Sequence, residues 1–214
     1  YKRQEQVQWG PSTVTDQDRE EHKSLPPLYA SQASTKTGDF LMHELELVLS
    51  RLKKNRSPGR DELTAEHIAL LDHNAKTILL TLLNQAWNSK TIPQSWREAN
   101  VVSIFKKGDT SNPGNYRPIS LLSVLYKIYA ALIQRRLAAS LDDRIRATQY
   151  GFRKYRSTAQ AIHIIRRAQE LREVSRQPLY LLFLDWQMAF DRIDHTALLE
   201  SLRRLGVPPH VVEV

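Results

Sequence analysis

The chain has 214 residues, 41% of them hydrophobic and 25% charged, a balance that supports one packed core and excludes wholesale disorder. It has no cysteine, which excludes disulfide scaffolds, zinc–thiolate sites and thiol nucleophiles and is compatible with an intracellular, reducing compartment. The net charge of +8 is concentrated: residues 1–96 carry 12 Lys/Arg against 12 Asp/Glu, residues 97–176 carry 16 against 6, and residues 177–214 carry 3 against 5.

One contiguous basic segment suits a phosphate backbone, whose neutralisation releases counterions, although a solvated basic surface has the same composition. No apolar run approaches the ~20 residues of a membrane span, so no membrane partner is expected. The sequence opens Tyr1-Lys2-Arg3-Gln4 with no signal-peptide core behind it and closes on Val211-Val212-Glu213-Val214 without a turn signal. Both ends read as cut from a longer protein.

Residues 1–39 are polar, with Pro26-Pro27 in the middle, and read as a linker or arm carrying at most a short helix around residues 16–23. From Phe40 the spacing of Leu41, Leu45, Val48, Leu49 and Leu52 predicts a helix with Asp39 as its N-cap. Ser57-Pro58-Gly59 breaks it, apolar periodicity resumes over residues 63–71 and 78–87, and Ile92-Pro93 closes the helical region. Residues 99–105 then read as a β-branched strand. Two turns, 106–109 and 112–115, lead to a returning arm that starts at Tyr116, and Pro118 confines that arm to an edge.

Helical spacing returns over 121–141, and Ser157 caps a further helix to about Val174 with Ile162, Ile165, Ala168 and Leu171 inward. Residues 179–184 form a near-continuous apolar run between Pro178 and Asp185, which predicts a strand buried on both faces. A last helix runs from an Asp194 cap to Arg204 and stops at Gly206 and Pro208-Pro209. The fold class is mixed α/β, an α-rich basic half feeding into a sheet.

Three features could carry chemistry. Asp185, where the apolar run ends, is either a hard oxygen ligand for Mg²⁺ or a turn aspartate; Asp194 has a capping role and Asp191 lies nearby. Lys106, Lys107 and Arg117 sit on the hairpin, where they could close over a triphosphate or serve as ordinary turn charge. Residues 149–157 interleave Tyr150, Phe152 and Tyr155 with Arg153, Lys154 and Arg156, which suits a platform for a nucleic-acid strand, with at least one ring expected in the core. No phosphate-binding Gly-rich loop with Lys-Ser/Thr and no His-Glu-x-x-His helix competes, and the seven histidines form no ligand pair.

Taken in order, these segments resemble the reverse-transcriptase domain of non-LTR retrotransposons. Residues 54–61 (Lys-Asn-Arg-Ser-Pro-Gly-Arg-Asp) resemble an early fingers element, and Ile92-Pro93, Trp96 and Ala99 the approach to the first fingers strand. Residues 105–109 and 115–122 resemble the two fingertip motifs, and residues 149–158 a Gln-x-Gly-Phe-Arg-x-x-x-Ser-Thr element. Residues 183–195 resemble the first catalytic motif, Phe-Leu-Asp-Phe-x-Lys-Ala-Phe-Asp-x-Val-Asp-His. The resemblance runs from about Phe40 to Val214. Phe105 stands where the family usually has Pro, and Trp186-Gln187-Met188 replaces the commoner Phe-Ser-Lys-like run.

The resemblance implies a right-hand polymerase fold, with α-rich fingers, a β-hairpin and the first palm strand and helix, stopping before the second catalytic motif, the rest of the palm and the thumb. It implies Asp185 as a metal-binding catalytic aspartate, with a carbonyl from Trp186, and two Mg²⁺ ions in the intact parent. Lys106, Lys107 and Arg117 would line the path of the dNTP triphosphate, and Phe190 would be the steric gate against a 2′-hydroxyl. Gln149, Gly151, Phe152, Arg153 and Arg156 would hold an RNA template and a DNA primer or RNA–DNA hybrid. The location would be nuclear for a LINE-type element. Two other readings stand beside this one: a nucleic-acid-binding remnant without catalysis, and an intron-encoded reverse transcriptase or maturase.

Overall fold

The computed structural model describes residues 15–186, 189–190 and 192–214. They fall into two compact units, Ser34–Ala138 with Val207–Val214, and residues 15–33 with Ala139–Gly206.

The first unit is built around helix α6 (Val124–Leu141). Val124, Ile128, Leu132 and Arg136 recur every four residues along it, and all four are buried. α2 (Met42–Leu49) contacts α4 (His73–Ser89), and the two bury Leu45 and Val48, and Leu79, Leu83, Ala86 and Trp87, respectively. The short helices α3 (Ala65–Ala69), α5 (Gln94–Arg97) and α9 (Pro209–Glu213) add Ile68, Trp96, Val211 and Val212 to the core. Aromatic rings fill its centre: Phe40 lies 4.9 Å from Trp87 and 6.0 Å from Tyr129, Trp96 lies 5.8 Å from Tyr129, and His210 stands edge-on to Trp87 at 4.6 Å. Burial pushes the Tyr129 hydroxyl up to about 12, because the phenolate would be desolvated there.

The entry to α2 differs from the sequence expectation. Leu41 is the cap residue, and the Glu44 carboxylate accepts its N–H at 3.0 Å. Asp39 instead accepts from the Asn88 amide at 2.9 Å. The reason lies in Arg136, which is 6% exposed and whose guanidinium reaches this entry. Its Nε and Nη2 fork onto Glu44 at 3.0 and 2.7 Å, Nη1 donates to the Lys36 and Gly38 carbonyls at 3.4 and 2.5 Å, and Nη2 also donates to the Asp39 carbonyl at 2.8 Å. The plane lies 4.3 Å from the Phe40 ring centroid. Five donors and five acceptors fix the chain into α2, so the Asp39 backbone is held where its side chain does not cap. Residues 36–39 of the segment read as a linker are thus bonded into this unit.

The predicted hairpin is present. β1 (Ala99–Phe105) pairs antiparallel with β2 (Tyr116–Leu122), from Ala99 opposite Leu122 to Phe105 opposite Tyr116. Both are edge strands, which is where Pro118 is tolerated. The base is clamped to the Ser57–Asp61 turn. A Cβ at Gly59 would lie 2.6 Å from the Leu122 carbonyl carbon and the Ser123 nitrogen, so only glycine allows this backbone contact. Beside it Ser123 Oγ donates to Asp61 Oδ2 at 2.6 Å and accepts from the Leu125 N–H at 3.2 Å, which starts α6.

In the second unit α1 (Asp16–Ser24) packs with α8 (His195–Arg204). Arg144 ties residues 29–33 to the end of α8, donating to the carbonyls of Ser31, Gln32 and Leu205 at 2.8, 2.9 and 2.7 Å, while Tyr29 Oη donates to the Arg144 carbonyl at 3.0 Å. Residues 25–33 of the segment read as an arm are therefore bonded into the unit. Gly206, at φ +80°, ends α8 as the sequence indicated. Asp194 caps α8 by accepting the Ala197 N–H at 2.9 Å, and α7 (Thr158–Ser175) begins after Ser157, whose N–H donates to Gln160 Oε1 at 3.0 Å.

Two expectations fail in this unit. Residues 179–184 form no strand and are exposed, because a strand is completed by neighbours and the ladder between β1 and β2 is the sheet found among the described residues. On α7, Ile165 and Ala168 are half-buried with Ala161, but Ile162 and Leu171 face solvent. Among the described residues none of α7 is fully buried.

Candidate nucleotide and nucleic-acid site

The site residues named from the sequence lie in both units, and each group has its own geometry. In the first unit Lys106 and Lys107 follow β1 directly and are exposed, and Arg117 lies in β2 opposite Ile104. The tip between them is built rather than slack. Lys106 N–H donates to the Asn115 carbonyl at 2.8 Å, and the Asn115 amide donates to the Asp109 carbonyl at 2.8 Å. The Asp109 carboxylate accepts Ser111 N–H and Oγ at 2.8 and 2.7 Å, bonds that hold its carboxyl below the usual range. Phe105 and Tyr116 pack at 5.4 Å across the strands. A rigid two-stranded lever with cations at its tip can present them to a polyanion with little ordering cost.

In the second unit the Gln149–Ser157 segment divides its side chains among different tasks. Arg153 is turned inward: Nε and Nη2 donate to Asp142 Oδ1 and the Asp142 carbonyl at 2.8 and 2.7 Å, and Nη1 donates to the Arg146 carbonyl at 3.0 Å. The Arg153 bond holds the Asp142 carboxyl below its ordinary value. Gln149 Nε2 donates to the Gly151 carbonyl at 3.3 Å. Phe152 and Tyr155 take left-handed backbone, φ +61° and +60°, and are 94% and 85% exposed. The Lys154 ammonium lies 4.6 Å from the Tyr155 ring centroid. Arg156 reaches back over Tyr150 at 5.9 Å.

Two residues assigned separately from the sequence meet here. The rings of Phe152 and Phe190 stand edge to face at 6.0 Å and 88°. Asp185 and Trp186 lie on the exposed, non-strand stretch just before the turn that carries Phe190. Asp194 is committed to its cap, and Asp191 falls outside the described residues. Asp185 fits Mg²⁺ as one hard oxygen donor, a share this ion commonly accepts, but the described residues bring no three His, Cys, Asp or Glu side chains together. No helix among them is long and apolar enough to cross a membrane.

Sequence reasoning missed Asp142 as the partner of Arg153, and it missed Gln160 and His163, which line a groove with Tyr150 and Arg156. The Ser157-x-x-Gln160 spacing was the available signal for Gln160, since Gln three residues after a Ser cap reaches back to it.

Residues 104–214 match the family model described as reverse transcriptase (RNA-dependent DNA polymerase), just over half of the chain. The chain is 33% identical over 181 residues to the RNA-directed DNA polymerase from mobile element jockey of Drosophila melanogaster, covering 83% of this chain and 20% of that protein. It is 30% identical over 201 residues to the probable RNA-directed DNA polymerase from transposon BS of the same organism, covering 92% and 22%. It is 32% identical over 171 residues to the transposon TX1 uncharacterized 149 kDa protein of Xenopus laevis, covering 80% and 13%. The chain thus spans about a fifth of the length of the two polymerases it matches. It belongs to the reverse transcriptase (RNA-dependent DNA polymerase) family, of the kind that non-LTR retrotransposons encode.

Proposed function

We propose that this chain is the fingers and the opening of the palm of an RNA-directed DNA polymerase, and that the protein containing it copies RNA into DNA during retrotransposition. The observation that carries the reading is the span of the family match, which starts on β1 at Ile104 and takes in the hairpin tip, the Gln149–Thr158 element and Asp185. In the reaction a primer 3′-hydroxyl oxygen bonds to the α-phosphorus of a dNTP and pyrophosphate leaves.

Asp185 supplies a carboxylate, and Trp186 a backbone carbonyl, for Mg²⁺. When bound, two such ions supply charge stabilisation for the attacking and leaving oxygens. Lys106, Lys107 and Arg117 neutralise the triphosphate, the lysines as point charges and the arginine as a fork. Phe190 closes the space beside the sugar C2′. Gln149, Gly151, Phe152 and Arg156 contact template and primer, and Arg153 contributes by holding that segment in place through Asp142.

The test is Asp185→Asn in a polymerase that carries this chain together with the remaining palm and thumb. Primer extension is lost while template–primer binding persists, because the amide keeps the shape and removes the charge. Near-normal extension by Asp185→Asn would reject Asp185 as the metal ligand.

A further inference from the structure

The Gln149–Ser157 segment and the start of α7 enclose more than the polymerase reading uses. Tyr150, Arg156, Ala159, Gln160, His163 and Ile164 line an open groove of about 360 Å³. Positions 159, 160, 163 and 164 lie on one face of the first two turns of α7. Tyr150, Ala159 and Ile164 give the groove an aromatic and aliphatic floor. Arg156, Gln160 and His163 supply its polar groups, and no carboxylate lines it.

That set of groups narrows the occupant. A cationic ligand would find Arg156 and no counter-charge. A flat, neutral heteroaromatic ring joined to an anion would find a ring to stack on, a cation for its anion, and two hydrogen-bonding side chains. Gln160 Oε1 is already occupied by the Ser157 N–H, so its amide is oriented and its NH₂ group is the remaining donor. The volume lies in the range of small-ligand sites and holds one base without strain. A paired base would not enter, because in a duplex its faces are covered by stacking and its edge is taken by its partner.

We infer that this groove takes one unpaired nucleobase of a single-stranded segment, stacked on Tyr150, with an adjoining phosphate on Arg156 and with Gln160 and His163 contacting the base edge. The inference rests on the polymerase reading and adds the state of the strand at this point: unpaired rather than duplex. Ribose and deoxyribose strands share this chemistry, and the experiment separates them.

The experiment uses the chain itself with a labelled oligouridylate, an oligothymidylate and a duplex of equal length at low salt, read by fluorescence anisotropy. Both single strands bind more tightly than the duplex, and comparison of the two reports any preference for ribose. Tyr150→Leu weakens single-strand binding on the order of ten-fold, whereas Tyr150→Phe, which keeps the ring, stays within about two-fold. Should Tyr150→Leu impair folding, Ala159→Trp answers separately. It fills the groove from an exposed helix position and abolishes the preference for single strands. Single-strand binding that is unchanged in Tyr150→Leu and Ala159→Trp overturns the groove and leaves the polymerase reading intact, and so does equal affinity for the duplex. Absence of binding to every oligonucleotide overturns the groove together with the template and primer contacts proposed for Gln149, Gly151, Phe152 and Arg156.

Discussion

Arg136→Met removes the guanidinium and keeps a side chain of similar length on the buried stripe of α6. Five hydrogen bonds are lost, two to Glu44 and three to the carbonyls of Lys36, Gly38 and Asp39, together with the stack on Phe40. Breaking a buried ion pair from one side costs about 3–5 kcal/mol, because the remaining charge stays desolvated. Glu44 keeps 15% of its side chain in water, which places the expected loss near the lower end, about 3 kcal/mol. That is a large fraction of the roughly 5–15 kcal/mol that holds a domain folded. Arg136→Lys retains the charge but has three donors and no planar fork, so it recovers only part of the loss. The double variant Arg136→Met with Glu44→Met is more stable than Arg136→Met alone, since it leaves no unpaired charge.

Urea unfolding followed by tryptophan fluorescence reads this directly, because Trp87 is buried beside Phe40 and 5.5 Å from the guanidinium. The pH dependence gives a second check. The Arg136 bond lowers the Glu44 carboxyl from its ordinary 4.5, so its contribution is complete above that value and fades as pH falls through the folded-state value. The gap between the parent and Glu44→Gln therefore closes in acid. A loss under about 1 kcal/mol for Arg136→Met, or Arg136→Lys equal to the parent, would refute the account of Arg136 as the lock on α2.

Gly59→Ala should destabilise the first unit by about 2 kcal/mol or more, since its Cβ meets the Leu122–Ser123 backbone at 2.6 Å; equal melting temperatures would contradict that contact. Arg153→Gln should lower the melting temperature of the chain more than Arg156→Gln does, whereas Arg156→Gln should cost more oligonucleotide affinity at low salt; the reverse order would exchange their roles. In a full-length polymerase, Phe190→Val should raise ribonucleotide relative to deoxynucleotide incorporation, and an unchanged ratio would make Phe190 a packing residue.

The hairpin was legible because its signals are local: β-branched residues 99–105, turn residues at 108–109 and 112–115, and a Pro that only an edge accepts. Ser157 and Asp194 were legible as helix starts for the same reason. The apolar run 179–184 has the composition of a buried strand, but a strand depends on partners elsewhere in a protein, and a sequence window does not contain them. Arg136 was missed although its signal was present, a single cation in phase with Val124, Ile128 and Leu132. Spacing placed it on the inward face, and only the Glu44 carboxylate and three carbonyls some ninety residues away made that position tolerable.

The same residues change what the basic segment means. Charge counted along residues 97–176 suggests a continuous phosphate track, yet three of its arginines are directed inward. Arg136 closes the entry to α2, Arg144 ties residues 29–33 to the end of α8, and Arg153 locks the turn after α6 through Asp142. A guanidinium saturated by carbonyls and carboxylates has few donors left for a phosphate, so these three add to the net charge without adding contacts. The cations left to meet a polyanion include Lys106 and Lys107 at the hairpin tip, Arg117 on β2 and Arg156 over Tyr150, with Lys154 and the exposed arginines of α7 beside them. A salt-dependence slope for oligonucleotide binding should therefore follow substitutions at these positions and stay nearly unmoved by conservative changes at Arg144, whose loss shows in stability instead.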